Sequence, residues 1–351
     1  MQIDVLIVGQ GLAGSLLAWE LMRRQYRVLV LDNGRENASQ VAAGLINPVT
    51  GQRLVKSRDV DILLPAAMAC YRQLAEAFDR EFFVEMPMLR LLRNESEHSH
   101  ALKRLNQPDY RAYLQSWLPA VDGIAAKFGV LQQTQTGYLH TRLLLSKLRN
   151  YLVDNASYRQ TRLEYGDIVL QPNLQWQDVK PRHIVFCEGY WAAANPWFGR
   201  LPFQPVKGEI LGCETSGANP AQILNYGHWY IPLDAQRFKT GATFQPQYSD
   251  ILPTSQAKTT LLAALQAACP AIVPVRIDEH KVGIRPATLD KQPFIGAHPH
   301  HANLHIFNGF GAKGSLAIPW HCRQFIAALE QQTRLSTASD IRRYYDSHFP
   351  A

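Results

Sequence analysis

At 351 residues, 46% hydrophobic and 19% charged, with no apolar run near the roughly 18 residues that cross a bilayer, the chain excludes a disordered, low-complexity or helical membrane protein. Five scattered cysteines (Cys70, Cys187, Cys213, Cys269, Cys322) form no C-x-x-C pair, which argues against a zinc site or redox dithiol and for reduced, buried thiols. The formal charge of +7 is spread rather than clustered, no nucleic-acid motif accompanies it, and the N-terminus shows no leader pattern, so a cytoplasmic protein with a mostly solvated basic surface is expected.

In chain order, Asp4 to Val8 reads as a buried strand. The turn Gly9-Gln10-Gly11-Leu12-Ala13-Gly14 follows, then a helical stretch from Ser15 to Arg24. A second apolar strand, Arg27 to Leu31, ends at Asp32, which completes a unit of the right length for a parallel β-α-β crossover. Arg58 to about Phe82 has helical spacing, and residues 83–134 mix short strands with polar segments. Among the latter, Asn94-Glu95-Ser96-Glu97-His98 is expected to be an exposed turn or loop.

Thr141 to Leu152 is an amphipathic helix, and His183 to Cys187 a buried strand ending in Glu188-Gly189. Residues 206–284 alternate short β-like runs with turns around one helix, Thr254 to Ala268. Leu304 to Phe307 is a last strand that feeds a Gly-rich turn, Asn308 to Gly314, and a helix to about Glu330. No linker divides the chain, so a second domain is expected to be inserted into the first.

A lone G-x-G-x-x-G is weak, but here it follows a strand, opens a helix and is answered by an acid closing the next strand. Gly9 permits the tight turn, Gly11 lets backbone approach a pyrophosphate, and Gly14 lets helix and strand pack closely. The helix N-terminus, with Leu12 and Ala13, offers free N–H groups and a positive dipole end to the phosphates. Asp32 can accept from ribose hydroxyls and would repel a 2′-phosphate, which argues against NADP. A second match, Gly309-Phe310-Gly311-Ala312-Lys313-Gly314, has no following strand to complete another unit and is rejected as a second dinucleotide site. Its backbone donors and Lys313 better suit an electron-rich ring.

Further segments resemble the D-amino-acid oxidase and glycine oxidase superfamily. Val41 to Pro48 looks like the segment that runs beside the flavin there. Glu188-Gly189-Tyr190-Trp191 resembles the family's small-residue turn, with Glu188 where Ala is usual. Val206-Lys207-Gly208-Glu209 resembles a strand usually read Arg-Gly-Gln, and Gly241-Ala242-Thr243 matches a common strand end. Gly283 to Asp290, with Pro293 to Gly296, resembles the C-terminal signature. Asn308 to Pro319 resembles the loop and helix at the flavin's pyrimidine edge.

The resemblance implies an α/β fold with a Rossmann-like, glutathione-reductase-like FAD-binding domain. An interleaved α+β substrate domain, built on a mixed antiparallel sheet, would roof the flavin. The first is expected over 1–82, 135–205 and 285–351, the second over 83–134 and 206–284. The cofactor is FAD, held non-covalently because Gly283 stands where some relatives carry a tethering Cys. The set it implies for the cofactor adds Asn33, Ser39, Gln40, Ala43, Gly44 and Leu45 to the first turn and Asp32. It continues with Arg162, Leu163, Glu188, Gly189 and Trp191, and closes on Arg285, Gly309, Gly311, Ala312, Lys313, Gly314 and Ser315.

For catalysis, Arg285 is expected to grip a substrate carboxylate, since a guanidinium offers a planar bidentate fork that Lys cannot. Pairing with a nearby acid such as Asp290 is the structural alternative. Tyr230 or Trp229 is expected to line the pocket, the choice between them left open by the spacing from Gly241, and a strand with plain aromatic packing is the structural alternative. Lys313 and the helix at Gly314 would stabilise negative charge on the flavin. His298, His300, His301 and His305 fit no metal-ligand pattern, and no metal is expected. The implied activity is oxidation of the C–N bond of a small amino acid or secondary amine, with oxygen as electron acceptor. Two alternatives stand beside it: an oxidase acting on a modified tRNA nucleoside, which the C-terminal segment also resembles, and a dehydrogenase with another acceptor.

Overall fold

The computed structural model describes residues 1–217, 219–272 and 274–349. Its centre is a six-stranded sheet in the order Tyr158–Gln160, Val28–Asp32, Gln2–Val8, Lys180–Phe186, Leu304–Asn308, Phe294–Ala297. The first five run parallel and the last antiparallel. Apolar residues occupy both faces because both are covered. Val5, Ile7, Val28, Val30, Val185 and Phe307 point one way, into helices Leu12–Arg23, Val60–Phe78, Thr141–Asp154 and Gly314–Leu329. Leu6, Val8, Leu29, Leu31, Ile184 and Ile306 point the other, onto a small hairpin and irregular chain around Trp176 and Phe198.

An eight-stranded mixed sheet draws its strands from 88–133 and 206–285. Its pairs are antiparallel except where Ile223–Asn225 runs parallel to Met88–Leu91. One face packs on helix Ser255–Ala268 through Leu211, Leu224, Tyr230, Phe238, Leu261 and Leu265. Met88, Ile223 and Ile231 are buried on the opposite face, with Trp229 packed against them. Among the described residues no helix is long and apolar enough to cross a membrane.

The expected exposed turn at 94–98 is instead the start of a helix, Glu95–Leu105. Asn94 caps it, its Oδ1 accepting from the Glu97 N–H at 2.9 Å. The tertiary reason is Arg90, buried in a strand at 6% exposure, which needs a counter-charge that, among the described residues, Glu97 supplies. Glu97, 1% exposed, meets both Arg90 and Arg93, and their positive charge holds its carboxyl below the usual range against the opposing effect of burial. Removing one member of a buried pair leaves the other charge unpaired. Glu97→Ala is therefore expected to destabilise the fold by about 3 kcal/mol in urea unfolding.

Candidate functional site

A cavity of about 780 Å³ lies between the two sheets, floored by the C-terminal ends of the parallel strands. That is where open α/β sheets bind ligands. Gly9 has φ +106°, and a Cβ there would stand 2.5 Å from the Cys187 carbonyl oxygen. A Cβ on Gly14 would overlap the Gly9 carbonyl oxygen. Gly11 as N-cap has no side chain to offer the first turn of the helix, and Leu12 N–H donates to Ser39 Oγ at 3.0 Å. The remaining first-turn amides face the cavity side as an anion cradle.

Asp32 is buried and already engaged. Its Oδ2 accepts from Gln10 N–H at 2.9 Å and its Oδ1 from Gly34 N–H at 2.8 Å, with Arg149 3.8 Å away. It thus pins the glycine turn as well as lining the cavity. These features fit a dinucleotide. Asn33, Ala43, Gly44, Leu45, Arg162, Leu163, Gly189 and Trp191 line the same cavity, as do Gly311, Ala312, Gly314 and Ser315.

Three residues of the expected set stand behind the lining. Gly14 packs helix on strand. The Gln40 side chain closes a capping box, its Oε1 accepting from Asn37 N–H at 2.9 Å. Gly309, with φ +82°, turns the chain against Thr288 and Pro293.

Tyr230 does not reach the cavity. It is fully buried on the helix side of its sheet, packed on Phe238 at 4.9 Å, and its hydroxyl donates to Asn219. Trp229 lines the cavity instead, because neighbours along a strand point to opposite faces. Arg285 ends strand Pro274–Arg285 and lines the cavity, its Nη1 donating to the Thr243 carbonyl at 3.2 Å. A Cβ on Gly208 would collide with the guanidinium, so that glycine makes its room. Asp290, the alternative partner, is taken by Arg343 at 2.9 Å and by Tyr344. Among the described residues no carboxylate pairs with Arg285. Burial pulls its guanidinium below the usual value, yet an Arg keeps its charge.

Lys313 precedes helix Gly314–Leu329 as its N-cap and lines the cavity. Burial, with Lys291 nearby, lowers its pKa. His183, half-buried, and His305, buried, lie 3.1 Å apart, and His298 stacks on His301. Among the described residues no group of three or more His, Cys, Asp or Glu is arranged to hold a metal.

Sequence reasoning missed Gln10, whose side chain donates to Ser15 and Leu145 and accepts from Arg149 at 2.8 Å. It occupies a variable position of the motif, and its 135-residue reach to Leu145 leaves no local signal. Tyr165 and Asn195, which hold Glu188, were missed for the same reason.

Comparison with known proteins agrees with this geometry. Glycine oxidase of Pseudomonas aeruginosa is 23% identical over 342 residues, covering 92% of this chain and 93% of that protein. The crystal structure of glycine oxidase from Geobacillus kaustophilus superposes with a TM-score of 0.81 at 23% identity, covering 98% of each chain. A tRNA 5-methylaminomethyl-2-thiouridine biosynthesis bifunctional protein of Acinetobacter baylyi is 22% identical over 333 residues, covering 92% of this chain and 52% of that protein. The family model described as FAD-dependent oxidoreductase matches residues 4–328. The glycine cradle and its acid thus have a defined occupant, FAD, and the chain belongs to the D-amino-acid oxidase family of FAD-dependent oxidoreductases.

Proposed function

We propose that this chain oxidises the C–N bond of a small amino acid or secondary amine bearing one carboxylate. The observation that carries the reading is Arg285, a positive group without an acidic partner among the described residues, facing the cavity. A carboxylate supplies the missing counter-charge with bidentate geometry. In this reading the glycine turn, Asp32, Ala43, Gly44 and Lys313 would hold FAD, which would supply a two-electron acceptor for the C–H bond, with oxygen as the terminal oxidant and hydrogen peroxide as its product.

The protein's part is placement and electrostatics. Arg285 and Lys313 both line the cavity and both are positive, which disfavours an ammonium there and favours the neutral amine that can release hydride. Lys313 and the N-terminus of its helix favour negative charge on the bound ring. Trp229 walls the substrate side, and water hydrolyses the imine product without a dedicated protein base. Segments 1–82, 135–205 and 285–351 serve the cofactor in this reading, and 83–134 and 206–284 the substrate.

A second reading has one structural support. The cavity lining includes two basic residues, Arg35 and Arg162, the latter paired with Glu164, and an aromatic one, Trp191, which is 47% exposed. Bases stack on such rings and phosphates pair with such charges. Half of the Acinetobacter tRNA-modifying protein matches this chain, and a modified tRNA nucleoside is the alternative substrate.

Peroxide release is expected from a panel of D-amino acids, glycine and sarcosine, and inertness across it would remove the first reading. Flavin reduction without peroxide would point to another electron acceptor. A tRNA complex that weakens steeply with salt would favour the second reading. Arg285→Ala should lower kcat/KM for carboxylate substrates about 100-fold while FAD stays bound, since charge-assisted pairs contribute about 3 kcal/mol when desolvated. Trp229→Ala should change KM across the panel, whereas Tyr230→Phe should leave KM unchanged.

A further inference from the structure

Glu188 is an acid placed against an anion-binding turn. It ends the strand Lys180–Phe186 segment and caps the turn Gly189–Ala194. A Cβ on Gly9 would lie 3.5 Å from the Glu188 Cα, so the backbone of Glu188 packs directly on the glycine turn, and the residue lines the cavity. Its carboxylate is held in place, Oε1 accepting from Tyr165 Oη at 2.8 Å and Oε2 from Asn195 Nδ2 at 2.9 Å. Among the described residues no Lys or Arg pairs with it.

The groups facing Glu188 leave it alone in the neutral range. On the 161–167 loop, Arg162 pairs with Glu164 at 3.1 Å, and burial drives the Tyr165 phenol far up. On its own strand, burial holds the Cys187 thiol well above its usual value. Asn195, on the following turn, does not titrate. Burial pushes Glu188 itself up to about 7, with its two hydrogen bonds acting in the opposite direction.

We propose that Glu188 takes up a proton when FAD binds, so that cofactor affinity is linked to the protonation of this one acid. The pyrophosphate brings negative charge onto the glycine turn, and a like charge on Glu188 disfavours the complex. One proton moves from solvent to the carboxylate, and nothing is oxidised or reduced.

The direction follows from a pKa that is higher in the complex than in the free protein. Below about pH 7 the acid is already protonated in both states, and affinity is independent of pH. Above that value each binding event must recover a proton. The Kd then rises towards about tenfold per pH unit until the pH passes the value in the complex.

The test uses holoenzyme diluted over a concentration series from about pH 6 to about pH 9, with released FAD read by its fluorescence. The expected wild-type Kd is flat at the acid end and climbs above neutrality, whereas Glu188→Gln is flat throughout. Tyr165→Phe removes a donor that favours the charged form, and is expected to move the climb to higher pH. A flat wild-type profile, or the same climb in Glu188→Gln, overturns the proposal. If Glu188→Gln does not fold, an unmoved profile in Tyr165→Phe overturns it.

Discussion

Where the first strand of the parallel sheet runs into its helix, the chain passes so close to the neighbouring strand that a methyl group on Gly9 would lie 2.5 Å from the Cys187 carbonyl. That approach sets the floor of the cavity. It brings the ends of strands Gln2–Val8 and Lys180–Phe186 together, so backbone rather than side chains lines the cavity floor at Gly9. Asp32, on the next strand, then reaches across to the Gln10 amide and locks the turn. Ser39 does the same for Leu12. The cradle is therefore held from three directions, by one close approach of backbone and by two hydrogen bonds that are at least partly shielded from water, where such bonds are stronger.

The roof depends on a different constraint. Gly208 must lack a side chain for the Arg285 guanidinium to fit, and its two flanking residues carry buried charges. Glu209, fully buried, accepts from Thr254 N–H at 2.8 Å, from its hydroxyl at 3.0 Å and from His280 at 2.8 Å. Lys207 donates to the Leu252 carbonyl at 2.6 Å. This network ties the strand beside Arg285 to the segment that carries Ile251 into the cavity wall. Buried charges are costly unless fully partnered, so they enforce one arrangement of strand and loop. The position of Arg285 is thus fixed from behind as well as by Thr243.

The parallel unit around Gly9 was readable because its signals are local: an apolar strand, a glycine spacing and an acid within one crossover. The same holds for the helix after Gly314. One error and one choice left open share a cause. The polar run at 94–98 has the composition of a loop, and only the buried Arg90 on another element makes Glu97 an interior residue of a helix. At Trp229 and Tyr230 the strand was plain, but a one-residue shift moves a side chain from one face to the other. Which face meets the cavity is set by helix Ser255–Ala268 packing on Tyr230.

By itself the sequence determined the dinucleotide cradle, the acid that closes the next strand, and the presence of an Arg at the end of an edge strand of the eight-stranded sheet. These rest on spacing within a few residues, where backbone geometry leaves few alternatives. Tertiary structure alone decided that Asp290 belongs to Arg343, leaving Arg285 without an acid among the described residues, and that Trp229 rather than Tyr230 faces the cavity. It also set Glu188 against Gly9 between Tyr165 and Asn195. Charge pairing and face selection depend on groups brought together from distant parts of the chain, and no local pattern records which partner arrives.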